Sequence, residues 1–280
     1  MTGRLILAAV ACLGIEQTQT PTFRSGIEKV QVDVLVTRDG RPLTNLTPAD
    51  FEISDNAVPQ QVDSQWAFEE MPLNLVFALD ASSSLAGRRA ELLRDACYGV
   101  LEQLKKDDQA ALVVFAEAVV VRSRLTPNLA SVRAAAELPL PPGQTSLVDA
   151  VQASMVLAES EPGRALILVF TDGADVSSYL KPDAVLETAK RSDAVIYGVV
   201  LRGEARPPFM GELAEASGGA LFAASPAEIG QAFRNVLEEF RHRYILTYAP
   251  TGVRAGGWHK LRVRVKQPGT SVTARPGYLR

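Results

Sequence analysis

The segment from Leu73 to Ser84 (LNLVFALDASSS) passes from a run of apolar residues to a cluster of oxygen-bearing side chains. Asp80 ends the apolar run, and Ser82 and Ser84 follow it in the spacing D-x-S-x-S. Carboxylates and hydroxyls are hard oxygen donors, which suit magnesium, manganese or calcium, whereas His and Cys would indicate zinc or copper. The segment therefore predicts an oxygen-lined cation site at the tip of a buried strand.

Two further segments could complete such a site. Arg164 to Thr171 is a second apolar run and ends on Asp172, and Pro141 to Ser146 (PPGQTS) opens a predicted helix with Thr145 near its start. In an open α/β sheet, ligands bind beyond the carboxyl ends of the strands, so these segments could converge there. The candidate metal ligands are Asp80, Ser82, Ser84, Thr145 and Asp172. Taken singly, either aspartate could instead cap a helix or bind backbone amides.

The three loops resemble the metal-ion-dependent adhesion site of von Willebrand factor A domains. The matching motifs are DASSS, GQTSLVDA and FTDG, and all five coordinating positions agree. The resemblance covers about Pro72 to Arg241. The flanks, FRSGIEKVQVDVLVTRDGRPLTNLTPADFEI before it and YILTYAP with ARPGYLR behind it, resemble the acidobacterial subgroup of von Willebrand factor A-related proteins. That subgroup has no assigned biochemical activity.

The resemblance implies a division of labour at the metal. Ser82 and Ser84 would bind it directly, Thr145 and the two aspartates directly or through water, and one position would be left for a Glu or Asp of a partner protein. Two carboxylates about neutralise a divalent cation and hydroxyls add no charge, so the metal would still attract a third anion. Magnesium keeps waters readily and is the expected ion, with manganese or calcium as alternatives. A further alternative is that the cation only reduces the repulsion between the two carboxylates and binds no partner.

Alternation of apolar strand patterns with helical stripes predicts an α/β fold in residues 72–241. We expect a Rossmann-like von Willebrand factor A domain with a mostly parallel sheet and helices on both faces. One expected helix spans Arg88 to Leu104, and another begins at Pro226 with Ser225 as its cap.

The two flanks are rich in strand patterns. Before the domain the expected strands are Lys29 to Thr37, Phe51 to Ser54 and Gln60 to Trp66; behind it they are Tyr244 to Ala249, Lys260 to Lys266 and Ser271 to Ala274. Because domain termini tend to lie close together, we expect residues 24–71 and 242–280 to pack into one small β-sandwich-like domain.

The N-terminus resembles a targeting segment. Residues 1–22 read as a short secretory signal followed by a polar linker, since the apolar run Leu5 to Leu13 is too short to span a membrane. Cys12 could instead be a lipoprotein attachment site. The expected location is therefore outside the cytoplasm: periplasmic, extracellular or attached to the envelope. No transmembrane span is expected, and Cys97 is expected to be a buried, unpaired thiol.

The net charge of -3 hides an asymmetry, because residues 241–280 carry nine Lys or Arg and no Asp or Glu. Lys260, Arg262, Arg264 and Lys266 alternate along one predicted strand. They could form a patch for an anionic polymer or surface. The interpretation favoured by the sequence is a solvated face, or one paired with Glu28 and Asp33. Nucleic acid is not an expected partner, because the segment lacks interleaved aromatic residues.

Motifs of catalysis are missing from the sequence. It has no G-x-S-x-G motif, GQTS lacks the spacing and Lys of a phosphate loop, and both histidines are distant in sequence from the candidate metal ligands. We therefore predict a binding protein rather than an enzyme, namely a metal-ion-dependent module that binds a protein partner. The alternatives are a metal-dependent hydrolase and a scaffolding component of envelope assembly.

Overall fold

The structure is a computed structural model, and it describes residues 29–66, 71–85, 87–137, 143–204 and 206–280. The expected signal segment, the linker and Cys12 lie outside the described residues. The strands are β1 (Val30–Arg38), β2 (Arg41–Pro42), β3 (Phe51–Asp55), β4 (Val58–Gln60), β5 (Ser64–Trp66), β6 (Leu73–Asp80), β7 (Gln109–Phe115), β8 (Val119–Thr126), β9 (Arg164–Thr171), β10 (Val195–Leu201), β11 (Leu221–Ala224), β12 (Tyr244–Tyr248), β13 (Trp258–Val265), β14 (Thr270–Ala274) and β15 (Gly277–Leu279). The helices are α1 (Arg88–Leu101), α2 (Leu129–Ala136), α3 (Leu147–Ala158), α4 (Pro182–Ala189), α5 (Pro208–Ser217) and α6 (Ile229–Arg241).

A six-stranded sheet in the order β11-β10-β9-β6-β7-β8 forms the centre of what we call the α/β body, from β6 to α6. All its neighbours pair in parallel except β8, which is antiparallel to β7. Every residue of β6 and β9 is buried, as their continuous apolar sequences require in a sheet covered on both faces. Helices α1, α2 and α6 pack on one face of the sheet, and α3, α4 and α5 on the other. The predicted α/β fold is confirmed.

The flanks form two antiparallel sheets, which we call the β unit. One has the order β14-β1-β12-β5, with β2 paired to β1, and the other has the order β15-β13-β3-β4. A single apolar core joins them, to which Val32 and Phe51 contribute from the first flank and Tyr248 and Leu261 from the second. Strands from both ends of the chain therefore build one β-sandwich-like unit, as expected.

The prediction of one strand from Gln60 to Trp66 was wrong. Residues 61–63 separate β4 from β5, and the two short strands lie in different sheets, β4 against β3 and β5 against β12. The buried Gln60 fixes this crossing, because its amide donates to Thr251 O at 2.9 Å and accepts from Thr251 N at 2.9 Å. Because Gln60 hydrogen-bonds to a backbone segment that is distant in sequence, the change of sheet after β4 leaves no signal in the local periodicity of the sequence.

The boundaries of two helices also differ from the expected ones. Helix α1 ends at Leu101 rather than Leu104, because the following turn is closed by Asp108, whose carboxylate accepts from Lys105 N at 2.7 Å. At the other end of the α/β body, the expected cap Ser225 forms a capping box with Glu228, and a short 3-10 turn, Pro226–Glu228, precedes α6.

Buried arginines join the two units. Arg164, at the start of β9, forms an ion pair with Asp33 of β1. Arg243, which follows α6, donates to Asp33 O at 3.2 Å, to Gly218 O at 2.7 Å and to the Tyr197 hydroxyl at 3.0 Å. The β unit is thus held to the α/β body at the amino end of β9, the end of that strand opposite Asp172.

Candidate metal centre

Asp80 is the last residue of β6 and is completely buried. Its Oδ1 accepts from the backbone N–H of Ser82 at 2.8 Å, and its Oδ2 accepts from the hydroxyl of Thr171 at 2.7 Å. Burial raises the pKa of Asp80 above its ordinary value of 3.8, although both of these hydrogen bonds oppose the rise, and the charge of Asp172 adds to it. The carboxylate is therefore rigidly held in a place that disfavours its own charge.

Two serine hydroxyls connect Asp80 to the second aspartate. Ser82 Oγ lies 3.0 Å from Ser84 Oγ, and Ser84 Oγ donates to Asp172 Oδ1 at 2.9 Å. The loop that carries them is held by Ala81 N–H, which donates to Phe115 O of the neighbouring strand at 2.7 Å. The D-x-S-x-S spacing thus directs two hydroxyls toward the end of β9.

Asp172 follows β9 and is buried. Besides accepting from Ser84, Asp172 has a cationic neighbour in Arg89, whose Nη1 is 3.5 Å from Asp172 Oδ2. The Arg89 side chain is 41% exposed, so solvent screens much of its attraction. Sequence reasoning missed Arg89, because nothing in the sequence distinguishes it from Arg88 in the same helical turn.

Thr145 is also buried and lies on the loop that opens α3. The next residue holds this loop, since Ser146 N–H donates to Ala116 O at 2.8 Å. A methyl group placed on Gly173 would stand 3.9 Å from Thr145 Oγ1, so the hydroxyl lies beside the segment that follows Asp172. The structure therefore brings all three predicted loops to the carboxyl edge of the central sheet.

The chemistry of these side chains fits a hard divalent cation. The set is two carboxylates and three hydroxyls, without nitrogen or sulfur. Within the described residues, no cluster of three or more His, Cys, Asp or Glu offers an alternative metal site. The role of Asp80, Ser82, Ser84, Thr145 and Asp172 as metal ligands stays a prediction.

A loop beside this edge exposes apolar side chains that the sequence analysis did not single out. Tyr179 is 95% exposed, Val176 is 63% exposed and Leu180 is 41% exposed. The loop is nevertheless well anchored, because the Asp149 carboxylate of α3 accepts from Tyr179 N and Leu180 N, each at 2.9 Å. We call Val176, Tyr179 and Leu180 the apolar loop. The only signal in the sequence was the presence of apolar residues in a segment without strand or helix periodicity.

The α/β body matches a known protein family. The family model for the von Willebrand factor type A domain matches residues 74–235, more than half of the chain. The chain belongs to the von Willebrand factor type A family. The match begins in β6 and ends within α6, so it covers nearly all of the α/β body and leaves the β unit outside.

Two curated relatives match about half of the chain. The chain is 28% identical over 165 residues to the human inter-alpha-trypsin inhibitor heavy chain H4, and 25% identical over 135 residues to heavy chain H3 of Mesocricetus auratus. The matches cover 53% and 44% of this chain but only 18% and 15% of those relatives. The chain therefore shares one region with much longer proteins.

Solved structures show the same A-domain fold. A von Willebrand factor type A protein from Catenulispora acidiphila has a TM-score of 0.56 at 12% identity, with 92% of this chain and 74% of that chain covered. Proximal thread matrix protein 1 from the mussel byssus, in a structure with a zinc-occupied adhesion-site motif, has a TM-score of 0.56 at 16% identity and covers 65% of this chain and 48% of that chain.

Other polar candidates lie outside the A-domain site. His259 is buried in β13 of the β unit, and His242 follows α6. Cys97 is buried and unpaired in α1, as predicted, and burial raises the pKa of its thiol. Among the helices of the described residues, none has the length and apolar character needed to cross a membrane.

Proposed function

We propose that this protein binds a protein partner through a divalent cation held by Asp80, Ser82, Ser84, Thr145 and Asp172. The observation that carries the proposal is the chain of contacts from Asp80 through Ser82 and Ser84 to Asp172, with Thr145 beside it, at one edge of the sheet. When bound, the cation would supply a Lewis-acid position for a Glu or Asp of the partner. Magnesium is the proposed ion, because an open set with only two carboxylates leaves room for water.

The residues of the chain divide the work. The hydroxyls of Ser82 and Ser84 would turn their lone pairs toward the cation in place of the hydrogen bonds they now form. Asp80 would face the cation in the orientation it already has, because its two oxygens already accept hydrogen bonds from the Thr171 hydroxyl and from the Ser82 backbone N–H. Two carboxylates only balance the charge of a divalent cation. A third carboxylate, from the partner, would therefore meet no excess of negative charge and could still coordinate the ion.

The apolar loop supplies contact area next to that carboxylate. Tyr179 is 95% exposed, and Asp149 already holds its loop in place. A partner can therefore bury this side chain without the entropic cost of ordering the loop. Aromatic residues often contribute most to binding energy at the centre of an interface. The proposed partner therefore presents an acidic residue flanked by apolar side chains.

A binding role rather than catalysis accords with the position of the histidines. His259 Nδ1 is engaged with Asp55 at 2.8 Å inside the β unit, and His242 Nδ1 contacts Glu238 O at 2.7 Å at the end of α6. We further propose, from residues 1–22 of the sequence, that the protein acts outside the cytoplasm.

The first test is calorimetric titration of the pure, full-length protein with magnesium and manganese. We expect uptake of one ion, lost in Asp172→Asn and Ser84→Ala. The matched control is Ser160→Ala, which removes a hydroxyl that donates to Leu157 O at the end of α3. Absence of uptake by the native protein would refute the metal site.

The second test is a pull-down from envelope extract with and without chelator. The partner should be retained with magnesium, released by chelator, and not retained by Ser84→Ala, while Ser160→Ala behaves as the native protein. A partner that binds equally in chelator would contradict the proposal even if calorimetry detects the metal.

A further inference from the structure

The outer face of β13 presents four cations in a line. Lys260, Arg262, Arg264 and Lys266, the last just beyond the strand, alternate with Leu261, Val263 and Val265 and are all exposed. We call these four cations the basic row. Side chains on one face of a strand repeat about every 7 Å, so the row is roughly 20 Å long.

Three other arginines near the C-terminus form ion pairs with carboxylates of the protein, unlike the basic row. Arg241, Arg243 and Arg275 form ion pairs with Asp108, Asp33 and Asp193, respectively. In the part of the chain that the structure describes, no ion pair joins a member of the basic row to a carboxylate.

The expectation that Asp33 pairs with the basic row was wrong. Asp33 lies in β1, in the other sheet of the β unit, and its carboxylate is taken by Arg164 and Arg243. Glu28, the other expected partner, lies outside the described residues. The sequence-based argument for an internally neutralised face therefore loses its one described carboxylate.

Two acidic residues lie near the row, so two of its four positive charges remain uncompensated. Glu52 is in register with Arg264 on the adjacent strand, and Asp50 is already bound by the N–H and hydroxyl of Thr47, each at 2.7 Å. Lys266 Nζ donates to Ala49 O at 2.6 Å, next to that aspartate. The net positive charge is thus concentrated at Lys260 and Arg262, with Arg264 beside Glu52.

The two central arginines also line a groove. An open groove of about 530 Å³ runs along β3, β4 and β13, and its polar lining includes Arg262, Arg264, Glu52, Ser54 and Gln60. An arginine guanidinium forms paired hydrogen bonds with planar or tetrahedral anions, which a lysine cannot do. The groove combines charge with directed donors.

We propose that the basic row is a binding site for a linear anionic polysaccharide. A single line of cations beside a groove matches a chain that presents carboxylate or sulfate groups at intervals. Single-stranded nucleic acid would need exposed aromatic rings on which to stack. Trp258, the aromatic residue on this face of β13, is 41% exposed and packs against Gly277, with Lys190 Nζ 5.5 Å from its ring centre. It is a single ring at one end of the strand, so this face of β13 does not offer the series of rings on which successive bases would stack.

The location of the row distinguishes it from a membrane anchor and from general basicity. A membrane-surface site combines cations with several apolar side chains that insert between lipids, whereas on this face of β13 the one large apolar side chain is Trp258 at its end, which is 41% exposed. Residues 1–240 carry 20 Lys or Arg against 32 Asp or Glu, so the row is a local positive region on an acidic protein. This inference is independent of the metal site.

The test uses the full-length protein in low salt with chelator present, and two probes, polygalacturonate for carboxylates and heparin for sulfates. We expect at least one probe to bind, with an affinity that chelator does not change and that falls as salt is added. The double variant Arg262→Gln/Arg264→Gln should weaken binding about tenfold or more, because two charge-assisted hydrogen-bond donors are lost.

The matched control is Arg191→Gln/Arg206→Gln, which removes two exposed charges elsewhere and should change the affinity by less than about twofold. Circular dichroism checks that both variants are folded. The proposal is overturned if neither probe binds, or if both double variants behave alike. It is also overturned if single-stranded DNA or anionic lipid vesicles bind while both polysaccharides do not, or if the row instead mediates self-association detected by size-exclusion chromatography.

Discussion

Asp55 and Asp80 are both completely buried carboxylates at the last position of a strand, β3 in the β unit and β6 in the α/β body. Around Asp55 the protein supplies every partner. Its Oδ1 faces His259 Nδ1 at 2.8 Å, and its Oδ2 accepts from the hydroxyls of Tyr248 at 2.9 Å and Tyr278 at 2.8 Å. One carboxylate is surrounded by three buried polar side chains from different strands.

Around Asp80 the surroundings are different. A second buried carboxylate, Asp172, adds negative charge, and the nearest cation to it, Arg89 at 3.5 Å, is partly in solvent. The serine hydroxyls between them can rotate to donate or accept. Burial of an aspartate is therefore not the signal of a binding site. The difference lies in the second buried carboxylate, Asp172, that stands beside Asp80.

The largest effect should come from Asp55→Ala. This change removes the acceptor that His259, Tyr248 and Tyr278 share in the buried interior, and breaking such a network costs about 3–5 kcal/mol of unfolding free energy. Urea denaturation measures the loss. The control is Asp95→Ala on the exposed face of α1, which should stay within about 0.5 kcal/mol of the native protein. Equal stability of the two variants would break the comparison.

The next largest change in unfolding free energy should come from magnesium binding at the site of Asp80 and Asp172. A ligand that binds only the folded state at about 100 times its Kd raises the unfolding free energy by about 2.7 kcal/mol. We expect this increase for the native protein and for Ser160→Ala but not for Asp172→Asn. If Asp172→Asn gained the same stability from magnesium, the ion would be bound elsewhere.

A smaller effect is expected for Asp80→Asn without metal, and unlike Asp55→Ala this change should not lower the free energy of unfolding. The pKa of Asp80 is raised by burial, so its folded-state pKa lies above the unfolded value near 3.8. The metal-free native protein should then lose stability as pH rises through the folded-state pKa, and Asp80→Asn should be at least as stable as the native protein at pH 7. Thermal unfolding at several pH values in chelator measures this. A clear loss of stability in Asp80→Asn would make Asp80 a structural residue like Asp55.

The smallest change in stability should come from Tyr179→Ser in the apolar loop. Because the side chain is 95% exposed and the anchoring bonds come from the backbone, unfolding free energy should change by less than about 0.5 kcal/mol. Retention of the partner in the pull-down should nevertheless fall. Val121→Ser, which replaces another exposed apolar residue, on β8, is the control and should retain the partner normally.

Much of the α/β body could be predicted from sequence because its signals are local. Strands buried on both faces must be apolar at every position, and D-x-S-x-S lies within five consecutive residues. The position of Thr145 required only that a helix begin where a Pro-Gly segment ends. These features depend on neighbours along the chain, and the structure has them where they were expected.

The Asp55 cluster could not be predicted in this way. Asp55 and His259 are 204 residues apart, and neither stands in a motif. Each of the flanking strands is short, and the crossing at Gln60 breaks what looks like one strand into two. The pairing of such strands is decided by packing across the whole fold, which a single sequence does not display.

The pairing of β1 with β12 has a consequence for biosynthesis. Asp33 and Arg243 meet although they are 210 residues apart, and β3 likewise finds its neighbour β13 only near the end of the chain. A ribosome therefore releases half of this sandwich well before the other half exists, while the intervening Rossmann-like region can already collapse around its own core. We expect closure of the sandwich to be the last and slowest event of maturation, and the early strands to need protection by chaperones until then.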